Sequence, residues 1–205
     1  MLGLPIGGGG GPAVEKLAKS GDPKSIPLPV PMQKRKDCDF SYAGLKTSVR
    51  TQVDKLRMEK RISQLNEADT TNKKEKEWLS MEDKANIAAS FQNVAIRHIE
   101  DRLNRAMTEL EVIETKQDVD GDTKKIRTLA VVGGVAANTE LRNRLQALCD
   151  KRKDPWTMHV PPPRLCTDQG SMSAWAAIER IMVGSSDEPS GHDVYARYPF
   201  SDNAK

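Results

Sequence analysis

Apolar residues along the chain fall into blocks with helical or strand spacing, separated by polar stretches. Val14, Leu17 and Ala18 recur at i, i+3 and i+4, which predicts a short helix with Pro12 in its first turn. Gly21-Asp22-Pro23 ends it, and the prolines at 23, 27, 29 and 31 predict extended chain. Leu45, Val49, Val53 and Leu56 mark a second helix. The strongest pattern is the stripe Ala85, Ala88, Phe91, Ala95, Ile99, Leu103, Ala106 and Leu110, about seven turns of one helix face. Ser80 and Asp83 stand where an N-terminal capping pair would. The stretches 57–76 and 111–125 are polar and read as insertions or loops.

The pattern then changes period. Thr128 to Val132 is an uninterrupted apolar run, the kind buried in a parallel sheet. Gly133-Gly134 turns the chain into a helix from Thr139 to Lys151, with Leu141, Leu145 and Leu148 on one face. Trp156 to Val160 reads as a second strand, stopped by Pro161-Pro162-Pro163. Thr167 or Asp168 would cap a last helix reaching Met182, apolar nearly all round and so expected to be buried. Strand, helix, strand, helix predicts an α/β domain over 1–183 with a helical insertion. The stretch 184–205 has no periodicity and reads as a poorly ordered tail.

Composition narrows the classes. Net charge is +3, from 32 cations against 29 anions, so nucleic-acid binding is permitted but not argued for. No window holds eighteen apolar residues, so no membrane partner is expected. Cys38, Cys149 and Cys166 are odd in number and far apart, which argues against a disulfide framework. His98, His159 and His192 lack the spacing that puts two imidazoles on one metal.

Two junctions could carry chemistry. Gly133 to Asn138 joins a strand to a helix, where glycines admit a ligand and the helix end presents free N–H groups. It is neither a Walker A loop nor GxGxxG, and a plain turn capped by Asn138 fits as well. Pro161 to Asp168 is the second such junction, and both should lie at the carboxyl edge of the sheet. Asp168 reads either as a metal ligand or general base, or as a helix cap. Cys166, with no histidine near it in sequence, reads as a small buried residue.

Four ordered strings go further: GPAVEKLA (11–18), DFSYAGLKT (39–47), VVGGVAAN (131–138) and PPPRLCTDQGSMSAW (161–175). Together they resemble the tRNA N6-adenosine threonylcarbamoyltransferase family (TsaD type, once called O-sialoglycoprotein endopeptidases). The resemblance implies the C-terminal lobe of an actin-like, sugar-kinase-like ATPase fold, which is ribonuclease H-like. It implies transfer of threonylcarbamoyl from threonylcarbamoyl-AMP to N6 of the adenosine next to the anticodon in ANN-reading tRNAs. Carried over by position, Gly11, Glu15 and Asn138 match substrate-adenylate contacts, and Asp168 matches one ligand of a divalent metal, iron or zinc. The family's HxxxH pair and SGGHT-type loop do not occur in this sequence, and Gln169 stands where Asn is common. One carboxylate of three ligands leaves an incomplete metal site, so this chain is expected to be inactive alone. Two strands without outer neighbours would leave sheet edges and an apolar helix face uncovered. A non-catalytic binding or dimerisation fragment is the alternative, and a homodimer is a possible assembly. The GLKT and PPPRLCTD wording matches the bacterial and organellar branch, implying the mitochondrion, with the cytoplasm as alternative.

Overall fold

The structure is a computed structural model that describes residues 2–4, 9–66, 79–117 and 125–185. It divides into two compact units, Met1–Cys166 and Thr167–Lys205.

The first unit is organised on one long helix. Helices α1 (Gly10–Ala18) and α2 (Ala43–Asn66) precede α3 (Met81–Gln117), a 37-residue rod about 55 Å long. Strand β1 (Thr128–Ala130), a 3-10 turn (Gly134–Ala137) and helix α4 (Thr139–Asp150) follow. Strand β2 (Thr157–His159) and a second 3-10 turn (Pro163–Leu165) complete it. The strands pair in parallel, with Thr128 opposite Thr157 and Ala130 opposite His159. The expected α/β character is therefore present, in a helix-rich form with a two-stranded sheet.

Four apolar clusters run along α3, and each takes residues from it. Ala88 and Ala89 meet Ala18 of α1, with Val14 and Leu17 beside them. Ile87 meets Val53 of α2 and Leu79. Ile96 packs on Leu141 and Leu145 of α4. Met107 packs on Cys149 and Trp156, with Leu129 of β1 closing the layer. At the start of α3 the Ser80 hydroxyl accepts from the Asp83 N–H at 3.1 Å, and the Asp83 carboxylate accepts from the Ser80 N–H at 2.7 Å. This reciprocal cap is the one the Ser80/Asp83 spacing predicts. Gly21 lets α1 and α3 meet: a side-chain carbon there would lie 2.1 Å from the Ala85 carbonyl oxygen.

Several expectations are corrected. Helix α2 continues to Asn66 through charged sequence read as an insertion or loop: Lys55 pairs with Glu59 one turn on, and Lys60 ties the helix to Asp83 of α3. Residues 67–76 lie outside the described residues. Helix α3 likewise runs past 111 to Gln117, since Glu111 accepts from the Trp156 indole N–H at 3.1 Å and Glu114 from the Ile126 N–H at 2.8 Å. The proline segment starts with a turn, in which the Asp22 side chain accepts from the Lys24 N–H at 2.9 Å, and only later extends. The run at 128–132 is not buried on both faces. β1 is three residues long with Thr128 and Ala130 exposed, because among the described residues only one strand pairs with it and only one face is covered.

In the second unit, α5 (Gly170–Met182) forms as expected but is not buried. Every residue from Gly170 to Ser185 is exposed, with Trp175 at 62% and Met182 at 75%. Among the described residues its own unit holds no other element for that apolar surface to pack on. The expected tail falls almost wholly on 186–205, outside the described residues.

Candidate functional site

The first junction is built around the N-terminus of α4. Gly133 takes φ of 86°, a left-handed turn that suits glycine, and the chain passes through one 3-10 turn to Asn138. The Asn138 side-chain oxygen accepts from the Leu141 N–H at 2.9 Å, the expected cap. Its amide nitrogen donates to the Gln92 side-chain oxygen of α3 at 3.1 Å. Glu15, from α1, accepts from the Thr139 N–H at 2.9 Å. A carboxylate and an amide oxygen thus satisfy two of the four N–H groups that open α4, at the positive end of its dipole.

Two cavities flank this point. One, about 730 Å³, is lined by Gly10, Gly11, Phe40, Tyr42, Phe91 and Asn138 among others, and its walls are almost wholly apolar. The other, about 300 Å³ and more polar, is lined by Glu15, Asn93 and Thr139. Gln92 belongs to both. So Gly11 and Asn138 share one cavity, and Glu15 faces the neighbouring one. A mostly apolar hollow with a few polar groups suits a flat heteroaromatic ligand.

Arg142 ties the two junctions together. Its guanidinium donates to the Ala136 carbonyl of the first junction and, at 3.1 Å, to the Pro161 carbonyl of the second. It also reaches the Cys166 sulfur at 3.5 Å. The expectation that both junctions lie side by side holds up to Cys166. That cysteine is 2% exposed, in keeping with a small buried residue, and all three cysteines are free.

Asp168 belongs to the second unit. It is exposed and does not cap α5, nor does Thr167: the cap position is Gln169, which makes no side-chain capping bond. Among the described residues no three His, Cys, Asp or Glu side chains gather in a group that could hold a metal ion. The residues described here do not by themselves fit a metal. His98 is fully buried and His159 exposed, while His192 lies outside the described residues.

Sequence reasoning missed Phe40, Tyr42, Phe91, Gln92 and Arg142. The DFSYAGLKT string contained the first two, but nothing in its spacing says that its aromatics wall a cavity. Arg142 looks like any exposed helix cation until the turns around it are known.

Fold and site define a helix-rich α/β protein with a large, mainly apolar cavity at a strand–turn–helix junction. A model of the TsaD family, described as tRNA N6-adenosine threonylcarbamoyltransferase, matches residues 1–175, and the chain belongs to that family. It is 38% identical over 190 residues to a "Probable tRNA N6-adenosine threonylcarbamoyltransferase, mitochondrial" of Arabidopsis thaliana, covering 92% of this chain and 35% of that protein. A tRNA N6-adenosine threonylcarbamoyltransferase of Rhizobium leguminosarum bv. trifolii is 36% identical, covering 100% of this chain and 48% of the relative. One from Zymomonas mobilis is 34% identical, covering 98% and 46%. The chain thus spans between a third and a half of the length of these curated relatives. Among the described residues no helix is long and apolar enough to cross a membrane.

Proposed function

We propose that this chain supplies the C-terminal lobe of a tRNA N6-adenosine threonylcarbamoyltransferase with an actin-like, sugar-kinase-like ATPase fold. The lobe, 1–183, binds the adenylate part of threonylcarbamoyl-AMP, and the complete protein passes the threonylcarbamoyl group to N6 of the adenosine beside the tRNA anticodon. The observation that carries this is the shared cavity: Gly11 and Asn138, remote in sequence, line one apolar hollow with aromatic walls. The walls would take the purine, Asn138 and Gln92 would offer amide hydrogen bonds, and Gly11 would let backbone approach closely. Glu15 would act at the mouth of α4, where it already neutralises the helix end. Asp168 is one ligand of a divalent metal completed by residues outside this chain. Residence in the mitochondrion follows the name of the Arabidopsis relative.

The test is calorimetric titration of AMP into the chain and its Asn138→Asp variant. Asp caps a helix as well as Asn, but cannot donate from its side chain. The expected result is a stability loss of no more than about 1 kcal/mol, from the missing bond to Gln92, with AMP affinity at least about tenfold weaker, roughly 1.4 kcal/mol. Equal affinity would remove Asn138 from the ligand site. In a full-length version, Asp168→Asn should leave the metal-free melting temperature unchanged, weaken metal retention and abolish transfer to tRNA.

A second reading, a binding or dimerisation fragment, draws on the exposed apolar length of α5. Sedimentation of the chain with and without Trp175→Ser and Ile178→Ser tests it, since a dimer on this face would dissociate.

A further inference from the structure

Among the described residues His98 is the one buried histidine, at 0% exposure, and it lies directly behind two walls of the apolar cavity. Its ring meets Phe40 edge-on at 5.4 Å and Tyr42 edge-on at 5.3 Å between centroids. Between those aromatics, the Ser41 N–H points at His98 Nε2 at 3.4 Å. Nε2 can accept only if it carries no proton, so the neutral ring must bear its hydrogen on Nδ1. Nδ1 is buried and has no hydrogen-bond partner. The neutral ring is therefore held by one acceptor bond, and the charged ring would set an Nε2–H against the Ser41 N–H.

We propose that His98 is a proton-controlled latch: neutral, it holds the Phe40–Tyr42 segment as the wall of the cavity, and protonated it releases that wall.

The same segment is gathered one helical turn further along α3. Arg102, 2% exposed, donates to the carbonyls of Met32, Arg35 (2.9 Å) and Asp37 (2.5 Å). Met32 sits at φ of 51°, unusual for a side-chain-bearing residue, in the turn that Arg102 clasps. Tyr42 is tied back to the Ala95 carbonyl at 3.3 Å. Residues 31–42 are thus pinned by Arg102 at one end and Tyr42 at the other, and Ser41 is the contact that depends on His98.

The charges facing His98 favour the neutral ring. Burial, and then the positive charge of Arg102, push the imidazole below the ordinary histidine value, with Asp101 acting the other way. The segment packed against it contributes Tyr42, whose phenol is pushed up by burial and stays neutral, and Asp37, which pairs with Arg102 at 3.8 Å. The sign follows. Because the closed form disfavours the proton, closure is complete above about 6.5 and weakens as pH falls below that value.

The latch itself needs no ligand. Its effect on ligand affinity rests on the proposed nucleoside site, and the experiment separates the two. Amide exchange is measured at Ser41 from about pH 8 to about pH 5 and expressed as protection factors, which remove the intrinsic pH dependence. Protection should fall by up to about tenfold per pH unit below about 6.5. His98→Gln keeps a side-chain oxygen to accept from Ser41 but cannot be protonated, so its protection should be flat with pH. His98→Asn serves the same purpose should the longer side chain not pack. Flat protection in the unmodified chain, or the same fall in the Gln and Asn variants, overturns the latch. Adenosine, which does not titrate in this range, is the ligand probe. Its affinity should weaken in acid in the unmodified chain and not in His98→Gln. A chain that binds no adenosine at any pH while Ser41 still responds overturns the nucleoside site and leaves the latch standing.

Discussion

The two strand-to-helix junctions begin alike and end differently. In both, a short parallel strand runs into a 3-10 turn and then a helix. At the first, Asn138 and Glu15 hold the opening N–H groups of α4, and Leu141 and Leu145 bury its next turns against Ile96. At the second, α5 opens from Gln169 without a side-chain cap and every residue of it is exposed. The same local grammar therefore produces a pinned helix only where an apolar face has something to meet. A carboxylate within a cap motif caps only if the helix entry is fixed by the rest of the fold.

The largest contrast should come from the cores. Leu141→Ala should destabilise the chain by roughly 2–5 kcal/mol, while Ile178→Ala on α5 should stay within about 0.5 kcal/mol. Urea unfolding of both variants checks this, and a large effect at Ile178 would mean that α5 is packed. Next is the cation that joins the junctions. Arg142→Met removes donors from the Ala136 and Pro161 carbonyls and should cost about 1–3 kcal/mol, with faster amide exchange at both turns. An effect confined to 133–138 would show that the second turn does not depend on it.

Much of the first junction was legible. Asn138 before an i, i+4 leucine pattern is a cap wherever the helix forms, and Ser80 with Asp83 encodes a reciprocal cap within four residues. What could not be read depends on partners remote in sequence. Glu15 reaches Thr139 across the whole unit. His98 and Arg102 are buried on α3 because residues 31–42 fold over them, and no period marks a polar residue as buried. The polar stretches of α2 and α3 misled for a related reason: helix polarity reports exposure, not the absence of helix. Expecting α5 to be buried assumed a neighbour that the described residues of its own unit do not hold.

Smaller effects separate the caps themselves. Asn138→Ala should cost about 1 kcal/mol, while Asp168→Ala should leave the melting temperature where it is. Thermal melts of the pair would break the comparison if Asp168 proved as costly. Glu15→Gln keeps an acceptor for Thr139 but loses the charge at the helix end. It should cost about 0.3–1 kcal/mol at low salt and less at high salt, read from melts at two ionic strengths.

The first junction, and not the second, is proposed as the nucleoside site. Backbone and side-chain NMR shifts followed through an adenosine titration test it most directly. Saturable shifts are expected at Gly11, Phe40, Tyr42, Gln92 and Asn138, with none from Thr167 to Met182. Shifts centred on Asp168 and α5, with Gly11 and Asn138 unmoved, would contradict it.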